Sequence, residues 1–309
     1  MEGQNQTSVI EFTLEGFLNI PQSQMALFVA FASSYAVALA GNISIITLIS
    51  LYPALHTPMY FFLVNLSFLD VCTISMIVPQ MLKNLLTQKK TISFQSCITQ
   101  AYIFVIFLAT ELLLLAVMAF DCYVAICHPL RYMVIMNWKV CCYLASGVWV
   151  CGILLANVHV LSLFCLSFCG PSAINHFFCE LPPLLKLSCT DTTFNQYLML
   201  VTELFLGFGC FLLILVSYVY IVSSILKIRS AQGKKKAFST CSSHVIVVTL
   251  FYSSVIYTYI RPPSMYLDSD KIVALLYMVI TPLLNPLIYS LRNKEVKEAF
   301  KRLIRLHRD

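Results

Sequence analysis

Asp70 and Glu111 are carboxylates set in the middle of long apolar runs. An ionisable group among Leu, Val, Ile and Phe is expensive to bury, so it usually serves a function and needs a partner. That partner could be a cation, or a proton held in a hydrogen-bonded pair. Four cysteines form a second constellation: Cys97 precedes a long apolar run, and Cys169, Cys179 and Cys189 fall between two others. In an oxidising compartment four such thiols give two disulfides by one of three pairings. Most of the remaining cysteines (Cys72, Cys127, Cys141, Cys142, Cys151, Cys210, Cys241) lie in apolar runs, where a thiol packs as a small hydrophobe. Asn5-Gln6-Thr7 is an N-glycosylation acceptor, which needs exposure to the secretory lumen. Asn42-Ile43-Ser44 and Asn65-Leu66-Ser67 have the same form but lie in apolar runs that the transferase cannot reach. There is no phosphate-binding loop, zinc-binding His-Glu-x-x-His run or nucleophile elbow, so nothing proposes an enzyme.

The elements that hold these groups follow from composition. Of 309 residues, 59% are hydrophobic and only 11% charged, and the mean hydropathy is +0.83. Too few charges are available to cover a soluble globule, so most of the chain must meet lipid. Apolar segments near the length needed to cross a bilayer recur at about 24–50, 58–86, 97–127, 139–163, 196–226, 238–260 and 271–291. The expected fold is an all-α membrane protein, a bundle of seven transmembrane helices. It comprises an extracellular segment (1–23), the bundle (24–291) and a cytoplasmic tail (292–309). Short connections join the helices, including an Arg229–Ala237 link, and one long connection covers 164–195.

The first 23 residues carry Glu2, Glu11 and Glu15 and lack a basic, then apolar, leader pattern, so the first helix is expected to act as signal anchor. With the N-terminus outside, fourteen of the twenty basic residues fall on the cytoplasmic side: Arg131, Lys139, Lys227, Arg229, Lys234–Lys236, and seven in the tail from Arg292 to Arg308. The positive-inside rule and the Asn5 acceptor therefore agree. In the tail, Val296, Phe300, Leu303 and Ile304 recur at helical spacing among lysines and arginines, the pattern of an amphipathic helix on the inner leaflet. The odd helix number and absence of internal duplication argue against an inverted-repeat transporter.

Motifs along most of the chain resemble those of olfactory receptors among rhodopsin-like receptors. They are Gly41-Asn42, the Leu55–Leu63 run (LHTPMYFFL), Leu66–Asp70 (LSFLD), Met118–Tyr132 (MAFDCYVAICHPLRY), Ser217-Tyr218, Lys236–His244 (KAFSTCSSH) and Pro282–Asn293 (PLLNPLIYSLRN). One departure stands out: the family usually has Tyr and Arg where this chain has Phe120 and Cys122, while Asp121 and Tyr123 are kept. In related receptors that Arg restrains the inactive state beside the Asp and then contacts the G protein, so its loss bears on both.

The resemblance implies a plasma-membrane receptor, with no nucleic-acid partner, that binds small volatile odorants and activates a stimulatory heterotrimeric G protein and cAMP signalling. It pairs Cys97 with Cys179 and Cys169 with Cys189. It brings Asp70 and Glu111 together near Asn285, where a sodium ion could sit, the alternative being a protonated pair without metal. It assigns Asp121, Cys122, Tyr123, Tyr218, His244 and Tyr289 to the activation switch. Odorant contacts are expected on the outer halves of helices 3, 5, 6 and 7: Phe104, Val105, Leu108 and Ala109; Thr202, Glu203 and Leu206; Tyr252, Val255, Ile256 and Tyr259; Leu275 and Met278. The lining is mostly apolar, with one ligand oxygen expected to reach Thr202, Tyr252 or Tyr259; Glu203 could favour an amine or face headgroups or a loop. Two other functions are open: an odorant-binding protein that couples weakly because of Cys122, and a carrier or channel, which the scarcity of mid-membrane polar residues disfavours.

Overall fold

A computed structural model describes residues 10–16, 24–87, 89–169, 172–261, 268–292 and 296. Among these, seven helices are long and apolar enough to cross a membrane. They are α1 (Gln24–Leu51), α2 (Pro58–Leu86), α3 (Phe94–Cys127), α4 (Trp138–Leu163), α5 (Thr193–Lys227), α6 (Ala231–Tyr259) and α7. The last runs from Asp268–Leu275 through a π turn at Leu276–Ile280 into Thr281–Arg292.

Local chemistry sets several starts. Ser93 accepts from Ser96 N at 3.2 Å, Asn137 from Val140 N at 3.1 Å and Ser230 from Gly233 N at 3.1 Å, each satisfying an amide that the first helical turn leaves open. Pro58 opens α2, where its missing N–H costs nothing. Each helix then turns one side inward and leaves its other apolar side for lipid. On α5, Leu204, Phe205 and Phe208 are exposed while Glu203 and Gly207 are buried.

α3 is the central helix, packed against α2, α4, α5 and α6. Gly152 lets α4 approach it closely, since a Cβ there would lie 2.8 Å from the Ile106 carbonyl. Polar side chains tie the bundle where lipid offers no water: Asn42 Nδ2 donates to Pro282 O at 2.9 Å, joining α1 to α7, and Tyr252 donates to Leu112 O at 2.6 Å, joining α6 to α3. Asn42 and Asn65 are both inside helices, so neither acceptor sequence there is open to glycosylation. Asn5 lies outside the described residues, as does the tail beyond Arg292 apart from Val296, which is buried.

Two features differ from the expected layout. α6 begins at Ala231, so the Arg229–Ala237 link is mostly helix. Hydropathy marks where lipid ends, whereas backbone hydrogen bonding continues through Lys234 and Lys235 into the aqueous phase. The 164–195 connection is also structured. Its strand β3 (Ala173–Ile174) pairs in parallel with β1 (Glu11–Leu14), which pairs antiparallel with β2 (Thr91–Ser93). This small sheet places residues 10–16 at the same end of the bundle as the long connection. Beneath it Phe12 is fully buried against Phe94 and Phe168, at centroid distances of 5.9 and 6.1 Å.

Candidate functional site

A cavity of about 50 Å3 lies between α3, α4, α5 and α6. From α3 come Val105, Leu108, Ala109 and Leu112; from α4, Leu155 and His159; from α5, Met199, Thr202, Glu203 and Leu206; from α6, Tyr259; and from the long connection, Leu181. Its walls are mostly hydrocarbon with few polar groups, the chemical character of small-molecule sites. A second cleft, of about 360 Å3, adjoins it at Met199 and Tyr259 and is bordered by Arg261.

Residues 176–181 roof this end of the bundle. Cys97–Cys179 anchors them to the top of α3, and Cys179 N donates to Gln100 Oε1 at 2.9 Å. Phe178 packs edge-on against Phe104, with centroids 5.0 Å apart. Glu180, fully buried, accepts from Tyr259 at 3.0 Å and from Tyr277 at 3.2 Å, fastening the roof to α6 and α7. His176 Nε2 lies 3.3 Å from the other Glu180 oxygen. Burial pushes the His176 imidazole down to about 3, so this contact joins a neutral ring to the carboxylate and is not an ion pair. A second disulfide, Cys169–Cys189, closes the outer part of the connection.

Seven residues expected at the ligand site line this cavity: Val105, Leu108, Ala109, Thr202, Glu203, Leu206 and Tyr259. Phe104, Tyr252, Val255, Ile256, Leu275 and Met278 are not among its walls; Phe104 packs under the roof, and Val255 and Met278 belong to the packed core. Sequence reasoning missed the α4 wall and Leu181. His159, an imidazole within an apolar run, was the signal that could have found α4.

Deeper in the bundle Asp70, Glu111 and Asn285 are almost completely buried. Asn285 Nδ2 donates to Asp70 Oδ2 at 2.9 Å, and the charges of Asp70 and Glu111 sense each other. Asp70 Oδ1, Glu111 Oε1 and Asn285 Oδ1 have no hydrogen-bond partner. Three buried oxygens with open lone pairs are the kind of donor that a hard cation takes. Among the described residues no cluster of three or more His, Cys, Asp or Glu could hold a metal.

At the opposite end, Tyr132 donates to Asp121 Oδ1 at 2.9 Å. Tyr123 Oη lies 3.2 Å from His128 Nε2. Cys122 is buried in a small cluster with Ile221 and Ile225 of α5 and Cys241 of α6. Tyr218 Oη and His244 Nδ1 lie 2.6 Å apart and bridge α5 to α6. Tyr289 is on α7, its buried hydroxyl without a partner.

A family model described as olfactory receptor matches residues 31–306. Olfactory receptor 2A25 of Homo sapiens is 50% identical over 98% of both chains, and olfactory receptor 5AR1 of Mus musculus is also 50% identical over 98% of both. The crystal structure of squid rhodopsin superposes with a TM-score of 0.73 at 18% identity, covering 91% of this chain and 80% of that one. The rhodopsin likeness concerns the fold.

Proposed function

The chain belongs to the olfactory receptor family, a family of multi-pass plasma-membrane odorant receptors and not of enzymes, and from that membership we propose that it detects small, mostly apolar odorants in the cavity between α3, α4, α5 and α6 and reports them through a stimulatory heterotrimeric G protein and cAMP. The single observation that carries this reading is a roofed apolar cavity bounded by both α5 and α6, whose opposite ends are joined by the Tyr218–His244 bridge. An odorant there gains affinity mainly by burial, at about 25 cal/mol per Å2 of apolar surface. Only an odorant that fits the active packing better than the resting one shifts the population toward it. Movement of α6 would lengthen the Tyr218–His244 contact and separate Cys241 from Cys122, opening the cytoplasmic face to the G protein. The disulfide-bonded end, which needs an oxidising compartment, is the extracellular one, and residues 10–16 accompany it.

Asp70, Glu111 and Asn285 would hold a sodium ion, which when bound would offset one of the two buried carboxylate charges and screen their repulsion. Without it, one carboxyl must keep a proton to avoid facing its neighbour's charge.

A second reading, weak coupling, is favoured by one specific observation: Cys122 packs among apolar side chains where related receptors have an Arg. Screening an odorant panel with a cAMP readout at measured surface levels tests both readings. Dose-dependent cAMP supports the first, and odorant binding without cAMP supports the second.

A further inference from the structure

Four polar residues line the cavity, and in three of them the hydrogen-bonding role is set by their neighbours. Thr202 donates its only hydroxyl hydrogen to Leu198 O at 2.8 Å. His159 Nε2, 3.1 Å from Thr202 Oγ1, must then be the donor in that contact, which leaves Nδ1 as an acceptor. Tyr259 donates its hydrogen to Glu180 Oε2 at 3.0 Å, so toward the cavity its oxygen can only accept. Glu203 is 7% exposed, and its Oε1 has no hydrogen-bond partner. The polar lining therefore offers acceptors.

Glu203 is held in this position by an irregularity of α5. Residues Glu203–Phe208 form a π turn, a form of helix that recurs at functional sites. Gly207 makes room for the carboxylate, because any Cβ at that position would overlap Glu203 Oε1 and Cδ. The lipid side of this turn is taken by Leu204, Phe205 and Phe208, so the carboxylate turns inward and not toward headgroups. Arg261, beside the adjoining cleft, is paired with Asp270 and stacked on Tyr257, with its guanidinium 4.1 Å from the ring centroid.

We infer that this receptor is tuned to odorants with a protonated amine on a small apolar body, the ammonium donating to Glu203 and the hydrocarbon filling the pocket between Val105, Leu108 and Leu206. The inference rests on the proposed ligand cavity and names its ligand class. An ammonium brings three donors to a wall of acceptors, whereas a ketone or aldehyde brings none and leaves the carboxylate unmatched. Burying the ammonium is tolerable because its hydrogens find Glu203 Oε1 and the remaining lone pair of Thr202.

The test compares cyclohexylamine, cyclohexanol and cyclohexanone in cAMP dose-response on the parent, Glu203→Gln and Gly207→Ala receptors at matched surface levels. In the parent the amine should be more potent than the alcohol by about tenfold or more, and the ketone weakest. Glu203→Gln should abolish the amine's advantage while leaving cyclohexanol within about threefold. Gly207→Ala keeps the acid but displaces it, and should reduce the advantage too. Equal potency of amine and alcohol in the parent, or an amine preference that survives Glu203→Gln, overturns the proposal. If the variants fail to reach the surface, thermal unfolding of the purified parent decides: cyclohexylamine must stabilise it more than cyclohexanol. If none of the three compounds acts, the amine proposal falls, and a wider panel of neutral odorants separately decides whether the cavity reading stands.

Discussion

Tyr132 donates its hydroxyl to Asp121 Oδ1 across 2.9 Å, so the Asp at the end of α3 is restrained by a phenol from the following loop and not by a guanidinium beside it. Burial and the neighbouring Asp121 push the Tyr132 phenol well up, which keeps it a donor. With Cys122 turned into the apolar cluster, this bond is a restraint on Asp121 that needs no Arg.

Tyr132→Phe should leave Asp121 short of a donor, at a cost of about 1–3 kcal/mol to the resting packing. The expected result is a lower melting temperature and higher odorant-independent cAMP at equal surface level. Basal cAMP equal to the parent's would show that the bond does not restrain activation.

Cys122→Arg should raise maximal cAMP, because a guanidinium can pair with Asp121 at rest and then present several donors at the cytoplasmic opening. The cavity lies at the other end of the bundle, so the ranking of odorants should be kept while apparent potency shifts with the conformational equilibrium. Equal or lower maximal cAMP at matched expression would mean that coupling here follows an Arg-independent route.

Replacing sodium by choline should lower the melting temperature of the purified receptor, and Asp70→Asn should erase that difference, because Asp70 Oδ1, like Glu111 Oε1 and Asn285 Oδ1, is buried without a hydrogen-bond partner. A melting temperature indifferent to the cation would favour a proton-sharing pair over a bound ion.

The seven spans were legible because lipid enforces a length and an apolar composition on each helix, and α2 runs from Pro58 to Leu86 as the sequence indicates. The start of α6 was not, since Lys234 and Lys235 end the apolar signal without ending the helix. Half of the candidate site was legible: helical spacing puts Val105, Leu108 and Ala109 on one face. Tyr252 shows why a residue expected there is not among the cavity walls. Its hydroxyl is taken by Leu112 O, a pairing 140 residues apart that no local pattern encodes. The acceptor roles of Thr202 and Tyr259 were equally hidden, because they depend on Leu198 O and on Glu180 across the roof. The π turn that holds Glu203 has no sequence signature comparable to a cap or a proline.

Acidification should loosen the roof. The His176 value near 3 lies below its ordinary 6.5, so as pH falls the unfolded chain takes up the proton first. Stability is therefore complete above the ordinary value and is lost as pH falls toward 3, by about 1.4 kcal/mol per unit. Melting temperatures measured at pH 7.4 and 5.5 should fall more for the parent than for His176→Gln. An identical slope in both would remove His176 from the account.

Filling the cavity tests the central claim most directly. Ala109, 5% exposed, lines it from α3, and Ala109→Phe would place a ring in the space assigned to the odorant. In a cAMP dose-response over an odorant panel at matched surface levels, the parent should respond and Ala109→Phe should lose potency by about tenfold or more for every active odorant, with basal cAMP unchanged. Dose-response curves that coincide for parent and variant would contradict binding in this cavity.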